Sequence, residues 1–264
     1  MPLSKRALLV ITLLASVWPV WRWSLLRITD GSGDSWELLA ALTAVGLLIR
    51  DRDLRPAIGN VGLPTVLILI YAASYLFAPP LVRGMLAMLT LGTACSVLWY
   101  GRRVDVPICG LLLISLPVMA SMNFYLGYPL RVVAGTISEA LLQMNGIAAT
   151  RESALLLWNG QSIAIDAPCS GVRMLWTGAY LCFTLAALMR LTSLRTLLLA
   201  ALTLSIVIVA NAVRATSLFY VEAGLIDAPA FAHDAVGLVM FAFAAIAVFV
   251  LSQQLVTRPH AQPN

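Results

Sequence analysis

Thr196-Leu-Leu-Leu-Ala-Ala-Leu-Thr-Leu-Ser-Ile-Val-Ile-Val-Ala-Asn-Ala-Val213 runs eighteen residues without a charge and closes on Arg214. A stretch of that length and composition reads as a membrane-crossing helix, and similar runs recur along the whole chain. Of the 264 residues, 61% are hydrophobic and 11% charged, and the mean hydropathy is +0.91. A soluble domain carries about a quarter of its residues as charged ones. The fold class is therefore all-α: a polytopic transmembrane helical bundle of about eight spans, or seven without the second. Outer-membrane barrels use shorter, alternating segments that these runs do not resemble.

Outward from that run, Val172–Met189 and Ala235–Leu251 read as its two neighbouring spans. Toward the N terminus the spans are Ala7–Val20, Trp36–Ile49, Val61–Ala78, Gly84–Tyr100 and Val106–Met122. Trp18, Trp21 and Trp23 supply an interfacial belt. The first run follows Lys5 and Arg6 and reads as a retained span, since no small-x-small cleavage site follows it. Trp36–Ile49 is the weakest: fourteen residues give about 21 Å against a hydrocarbon core of about 30 Å.

Two segments differ from the rest. In Val132–Ala149 the residues Val133, Ile137, Leu141 and Met144 recur at helical spacing while Glu139 and Gln143 lie on another face. This reads as an amphipathic helix, lying on the membrane surface or folded over a site, or else packed against the bundle. In Leu155–Ile165, Asn159-Gly160 between two β-prone arms signals a small extracytoplasmic hairpin. The chain reads as a single integral membrane domain over 1–264. Its N-terminal spans fill 1–130, and the surface helix, hairpin and catalytic core spans fill 131–264.

Charge sets the expected orientation. With a cytoplasmic N terminus, the inner segments hold ten basic residues against Asp51, Asp53 and Asp105, a balance of +7. The outer segments hold seven basic residues against nine acids, a balance of −2. That satisfies the positive-inside bias and puts Cys169, Arg214 and His233 at outer helix ends. The net charge is +5, but no dense basic block stands outside the membrane flanks, so nucleic acid is not an expected partner.

Chemistry concentrates in Asp166-Ala-Pro-Cys-Ser-Gly-Val-Arg173. Cys95, Cys109 and Cys182 sit in apolar runs as small hydrophobes, whereas Cys169 is in a polar context. Pro168 biases Ala167 away from helix. Ser170 is placed to accept a first-turn N–H of the next helix, whose N-terminal partial charge favours a thiolate on Cys169. Taken alone, Cys169 is either a nucleophile or a buried structural residue. Arg214 is either a snorkelling span end or a site residue. Asn211, inside the apolar run, wants a polar partner. His233 precedes the last span, with Asp234 and Gly237 following, and only His260 in the tail is otherwise available. No spaced ligand set for a metal is present, and no cofactor is expected.

Ala167-Pro-Cys-Ser-Gly-Val-Arg-Met-Leu175, Asn211-Ala-Val-Arg214 and His233-Asp-Ala-Val-Gly237, taken in that order, resemble the exosortase/archaeosortase family of multispanning membrane cysteine transpeptidases. The resemblance covers roughly residues 150 to 250. It implies Cys169 as nucleophile, Arg214 as essential arginine and His233 as the third catalytic position. Arg173 matches a further arginine of the cysteine motif. Family members commonly carry an acidic residue two before the cysteine, whereas here Asp166 is three before it. The implied substrates are exported precursor proteins with a C-terminal Pro-Glu-Pro-like (PEP-CTERM-like) motif, a transmembrane helix and a basic tail. The implied surroundings are membrane lipid, and the acceptor is an amine or water.

Two other classes, a membrane thiol oxidoreductase and a multispanning transporter, fit the composition less well. A membrane thiol oxidoreductase needs a second reactive thiol, and Cys182 lies about 20 Å further along the same helix, beyond disulfide reach. A multispanning transporter would line a midplane path with its charges. Here they cluster at one face.

Overall fold

The computed structural model describes residues 3–29, 36–53, 59–165, 170–229 and 231–256, with side chains from Leu8 onward. Ten helices and three strands occur among them: α1 (Leu3–Ser16), α2 (Trp18–Ile28), α3 (Glu37–Arg50), α4 (Gly62–Ser74), α5 (Pro80–Tyr100), α6 (Val106–Ile114), α7 (Met119–Met144), β1 (Thr150–Glu152), β2 (Leu155–Trp158), β3 (Gln161–Ala164), α8 (Val172–Leu188), α9 (Ser193–Glu222) and α10 (Ala232–Gln254). The helix-rich architecture expected from the sequence is present. Three helices, α5, α9 and α10, are long and apolar enough to cross a membrane, or up to five spans if two sharply broken consecutive pairs are each one crossing. The remaining apolar helices are shorter: α4 has 13 residues and α8 has 17.

The chain divides into two compact units. One comprises residues 1–118 with 183–197, the other 119–182 with 198–264. In the first unit α5 is the hub, packing against α1, α2, α4 and α6. Small residues make this possible: a methyl group at Gly92 would lie 2.8 Å from Cys109 Sγ of α6. Gly101, at φ 64°, stops α5, and the Arg102 N–H turns back onto Ser96 O. Asp105 then caps α6, its Oδ1 accepting the Ile108 N–H at 3.3 Å.

Three side chains converge on Asp51, which is only 4% exposed. Arg50 donates to both carboxylate oxygens at 3.0 Å, Arg190 to Oδ1 at 3.2 Å and the Tyr100 hydroxyl to Oδ2 at 3.1 Å. The residue closing α3 thus ties together the end of α5 and the turn after α8. Burial raises the Asp51 carboxyl. The hydrogen bonds from Arg50 and Tyr100 and the charges of Arg50 and Arg190 outweigh burial and hold it below the ordinary range. Its stabilisation is therefore in place above about pH 4 and is lost as pH falls through the folded-state value. Removing the carboxylate frees Arg50 and Arg190, which keep 38% and 62% side-chain exposure and can rehydrate. We expect Asp51→Ala to cost about 1–3 kcal/mol, with the gap from wild type narrowing in acid. Thermal unfolding in detergent at neutral and acidic pH measures both.

In the second unit, α7 is one helix of 26 residues that runs through Pro129. The sequence predicts two elements in this stretch, the end of a span and a separate amphipathic helix over 132–149, on the membrane surface, folded over a site or packed against the bundle, and the structure joins them. The helix also stops earlier, at Met144, because Gly146 adopts φ 80° and the Ile147 N–H returns to Leu142 O. Its inward face is small: Ala134, Gly135, Ser138 and Leu142 are buried, whereas Val133 and Met144 point outward. Ser138 Oγ donates to Ala212 O of α9 at 3.1 Å, so the two backbones approach closely. The polar pair on the other face holds the sheet. Glu139 accepts the Arg151 N–H at 3.1 Å, and Gln143 Nε2 donates to Ala149 O at 3.0 Å.

The hairpin forms where Asn159-Gly160 predicts it. Both residues have positive φ, 48° and 77°, and Trp158 pairs with Gln161. A third strand, β1, adds antiparallel to β2. Leu156 and Ile165 bury against Leu142, Ala149, Leu218 and Phe219, which docks the sheet on the C-terminal part of α9.

Candidate functional site

Cys169 and Asp166 lie outside the described residues, as do Ala167 and Pro168; the segment is bracketed by Ile165 and Ser170. Ser170 is buried, and the Val172 N–H reaches its Oγ at 3.5 Å as α8 begins. Gly171 carries φ 78°, a conformation costly for any residue with a Cβ. It also has no room for one: a methyl group there would meet Asn211 Cγ at 2.8 Å and Nδ2 at 2.9 Å. The backbone two residues past Cys169 thus presses on the Asn211 amide of α9. Asn211 is itself buried, so an amide in an apolar helix has a polar backbone beside it.

The same close approach recurs at α10. A methyl group at Gly237 would lie 3.3 Å from Cζ, Nε and Nη2 of Arg214, so the guanidinium lies flat on that glycine. Gly237 is one turn beyond His233, about 6 Å along the axis and on the same face. The His233 ring turns to the end of α9, where Nε2 and Glu222 Oε1 are 2.8 Å apart. Beside this pair is a crevice of about 20 Å³, bordered by Ile163, Ala164, Leu218 and Phe219. It is of water size. Arg173 is exposed on the first turn of α8, where its carbonyl accepts Thr177 Oγ1 at 2.9 Å.

One stripe of α9 therefore does most of the placing. Asn211, Arg214, Leu218 and Glu222 follow at intervals of three, four and four residues, the spacing of a single helix face. Asn211 meets the backbone after the cysteine, Arg214 meets α10, and Glu222 meets His233. Sequence reasoning does not single out Glu222. Its position two turns past Arg214 on that face is the one signal that points to it.

The thiols of Cys95, Cys109 and Cys182 are free and buried, in keeping with their apolar contexts. The arrangement defines a polytopic membrane protein that sets an amide, a guanidinium and a carboxylate along one face of α9, the carboxylate paired with an imidazole of α10. The chain matches the transmembrane exosortase family (Exosortase_EpsH) over residues 4–250 and belongs to it. It is a membrane cysteine transpeptidase acting on the sorting signals of exported precursors. No curated protein and no solved structure matches the chain.

Proposed function

We propose that Cys169, Arg214 and His233 carry the transpeptidation at the outer face of the membrane. The supporting observation is that each flanking motif presents a glycine to the same helix, Gly171 to Asn211 and Gly237 to Arg214. The cysteine and histidine motifs are thereby drawn onto α9. The Cys169 thiol gives its proton to His233, the thiolate attacks the scissile carbonyl, and the tetrahedral oxyanion collapses with cleavage of the C–N bond. His233 protonates the departing amine, leaving a thioester between Cys169 and the new C terminus. An incoming amine or water then gives its proton to His233, attacks the thioester and releases the thiolate. Arg214 faces the developing charge, Asn211 positions Arg214 and the loop after Cys169, and Ser170 supports the start of α8. Asp166 and Arg173 flank the nucleophile and orient the substrate segment.

The substrates in this reading are precursors with a C-terminal PEP-CTERM-like motif, a transmembrane helix and a basic tail. The helix lies in lipid beside α10, whose Leu238, Phe243 and Ile246 are exposed. The extended motif lies along β3, which leads directly into the cysteine segment. The inner-membrane topology keeps eight crossings as one membrane domain, with the positive-inside bias placing the site on the periplasmic side.

The test is the mass of the processed C terminus of a co-expressed precursor of this design. Transfer predicts a new C terminus bearing the acceptor amine, and hydrolysis a free carboxylate. A precursor left at full length by the wild-type protein would refute the substrate assignment.

A further inference from the structure

We propose that Glu222 is the positioning residue of the site: it holds His233 with a proton on Nε2 and leaves Nδ1 as the nitrogen that exchanges protons with substrate. This rests on the acid–base role given to His233 above, and adds which atom works and what fixes it.

The geometry is direct. Glu222 Oε1 and His233 Nε2 are 2.8 Å apart. An ionised carboxylate only accepts hydrogen bonds, so Nε2 carries the proton, and in the neutral ring Nδ1 then holds the lone pair. Both partners sit on defined backbone. Glu222 is the last residue of α9, which is terminated by Gly224 at φ 67° with the Ala223 N–H on Phe219 O. His233 is the second residue of α10. The contact joins two helix ends eleven residues apart in sequence.

Stability does not explain the pair. The side chains are 40% and 50% exposed, and ion pairs this open contribute little to folding. Orientation does explain it. An imidazole must present one chosen nitrogen, and a carboxylate or amide on the other nitrogen is how cysteine and serine hydrolases on unrelated folds secure this. The position of Glu222 on the stripe with Asn211 and Arg214 means that one helix sets the partner of each motif.

The experiment uses the full-length protein in lipid nanodiscs with a precursor peptide spanning the sorting signal. Glu222→Ala is expected to lower kcat about 10- to 100-fold with KM within about twofold of wild type. Glu222→Gln should recover most of the loss, because its amide oxygen accepts the same N–H. The spectroscopic arm uses a His260→Asn background, so that His233 is the only histidine labelled with 15N. A hydrogen-bonded Nε2–H resonance at low field is expected with the native Glu222 and with Glu222→Gln, and is expected to vanish in Glu222→Ala. Wild-type kcat in Glu222→Ala, with His233→Ala inactive, would overturn the positioning role alone. A neutral His233 ring protonated on Nδ1 in the otherwise native chain would do the same, whatever the activities. Retained turnover in His233→Ala would instead remove the acid–base assignment, and the resonance would still report the contact.

Discussion

Cys169→Ala is expected to reduce precursor processing by about 10,000-fold or more in kcat, with the protein still present in the membrane. Only Sγ is lost, and without it no thioester can form, so the residual rate is that of water attacking a bound peptide. In the proposed site Arg214, Asn211 and the Glu222–His233 pair remain, and none of them supplies a nucleophile in its place. Cys169→Ser should be nearly as inactive, because a hydroxyl does not ionise near neutrality as a thiol beside a helix N terminus does. Precursor length on a gel and the mass of its C terminus read the outcome. Processing at the wild-type rate by either variant would remove Cys169 from the nucleophile role.

Some of this is legible in the sequence, and the rest is hidden for physical reasons. Asn159-Gly160 announces the hairpin, because a type I′ two-residue turn needs two consecutive positive-φ residues and few other pairs provide them. β1 gives no such signal. Thr150-Arg151-Glu152 is short and polar, and it is a strand through its pairing with Leu155–Leu157 of β2, with Glu139 taking the Arg151 N–H. Pro129 falls between the two elements that the sequence predicts, the span ending at Met122 and the helix beginning at Val132. In α7 the helix continues past it, and the Arg131 side chain reaches back to Gly127 O at 3.3 Å.

Charge pairing at a distance is equally hidden. Asp51 reads as one member of a charged loop, yet its partners Tyr100 and Arg190 lie 49 and 139 residues away. The three motifs themselves are readable because each sets polar residues into an otherwise apolar chain, although Arg214, expected at a helix end, lies two turns inside α9, which continues to Glu222. Their mutual fit is not readable. It depends on Gly171 and Gly237, which allow Asn211 and Arg214 to close on neighbouring backbone. In a membrane, where apolar burial does not discriminate protein from lipid, such close approaches of small residues are what bring helices together.

Arg214→Ala should lower kcat by about 100- to 1,000-fold, and Arg214→Lys should recover little of it. Lysine keeps the charge, but it lacks the planar fork that lies against Gly237. Gly237→Ala tests the same geometry from the other side, since a methyl group 3.3 Å from three guanidinium atoms must displace them. We expect it to lower kcat in the same direction as Arg214→Lys, by a smaller factor. The guanidinium has two tasks open to it, stabilising the thiolate or stabilising the oxyanion. We assign it to the oxyanion, because α8 begins three residues after Cys169 in sequence and its N terminus supplies a partial positive charge of its own. That assignment makes a separable prediction for alkylation of Cys169 by iodoacetamide as a function of pH. The profile should be nearly unchanged in Arg214→Ala while turnover collapses. A profile displaced to higher pH in that variant would transfer Arg214 to the thiolate and leave the oxyanion to backbone N–H groups.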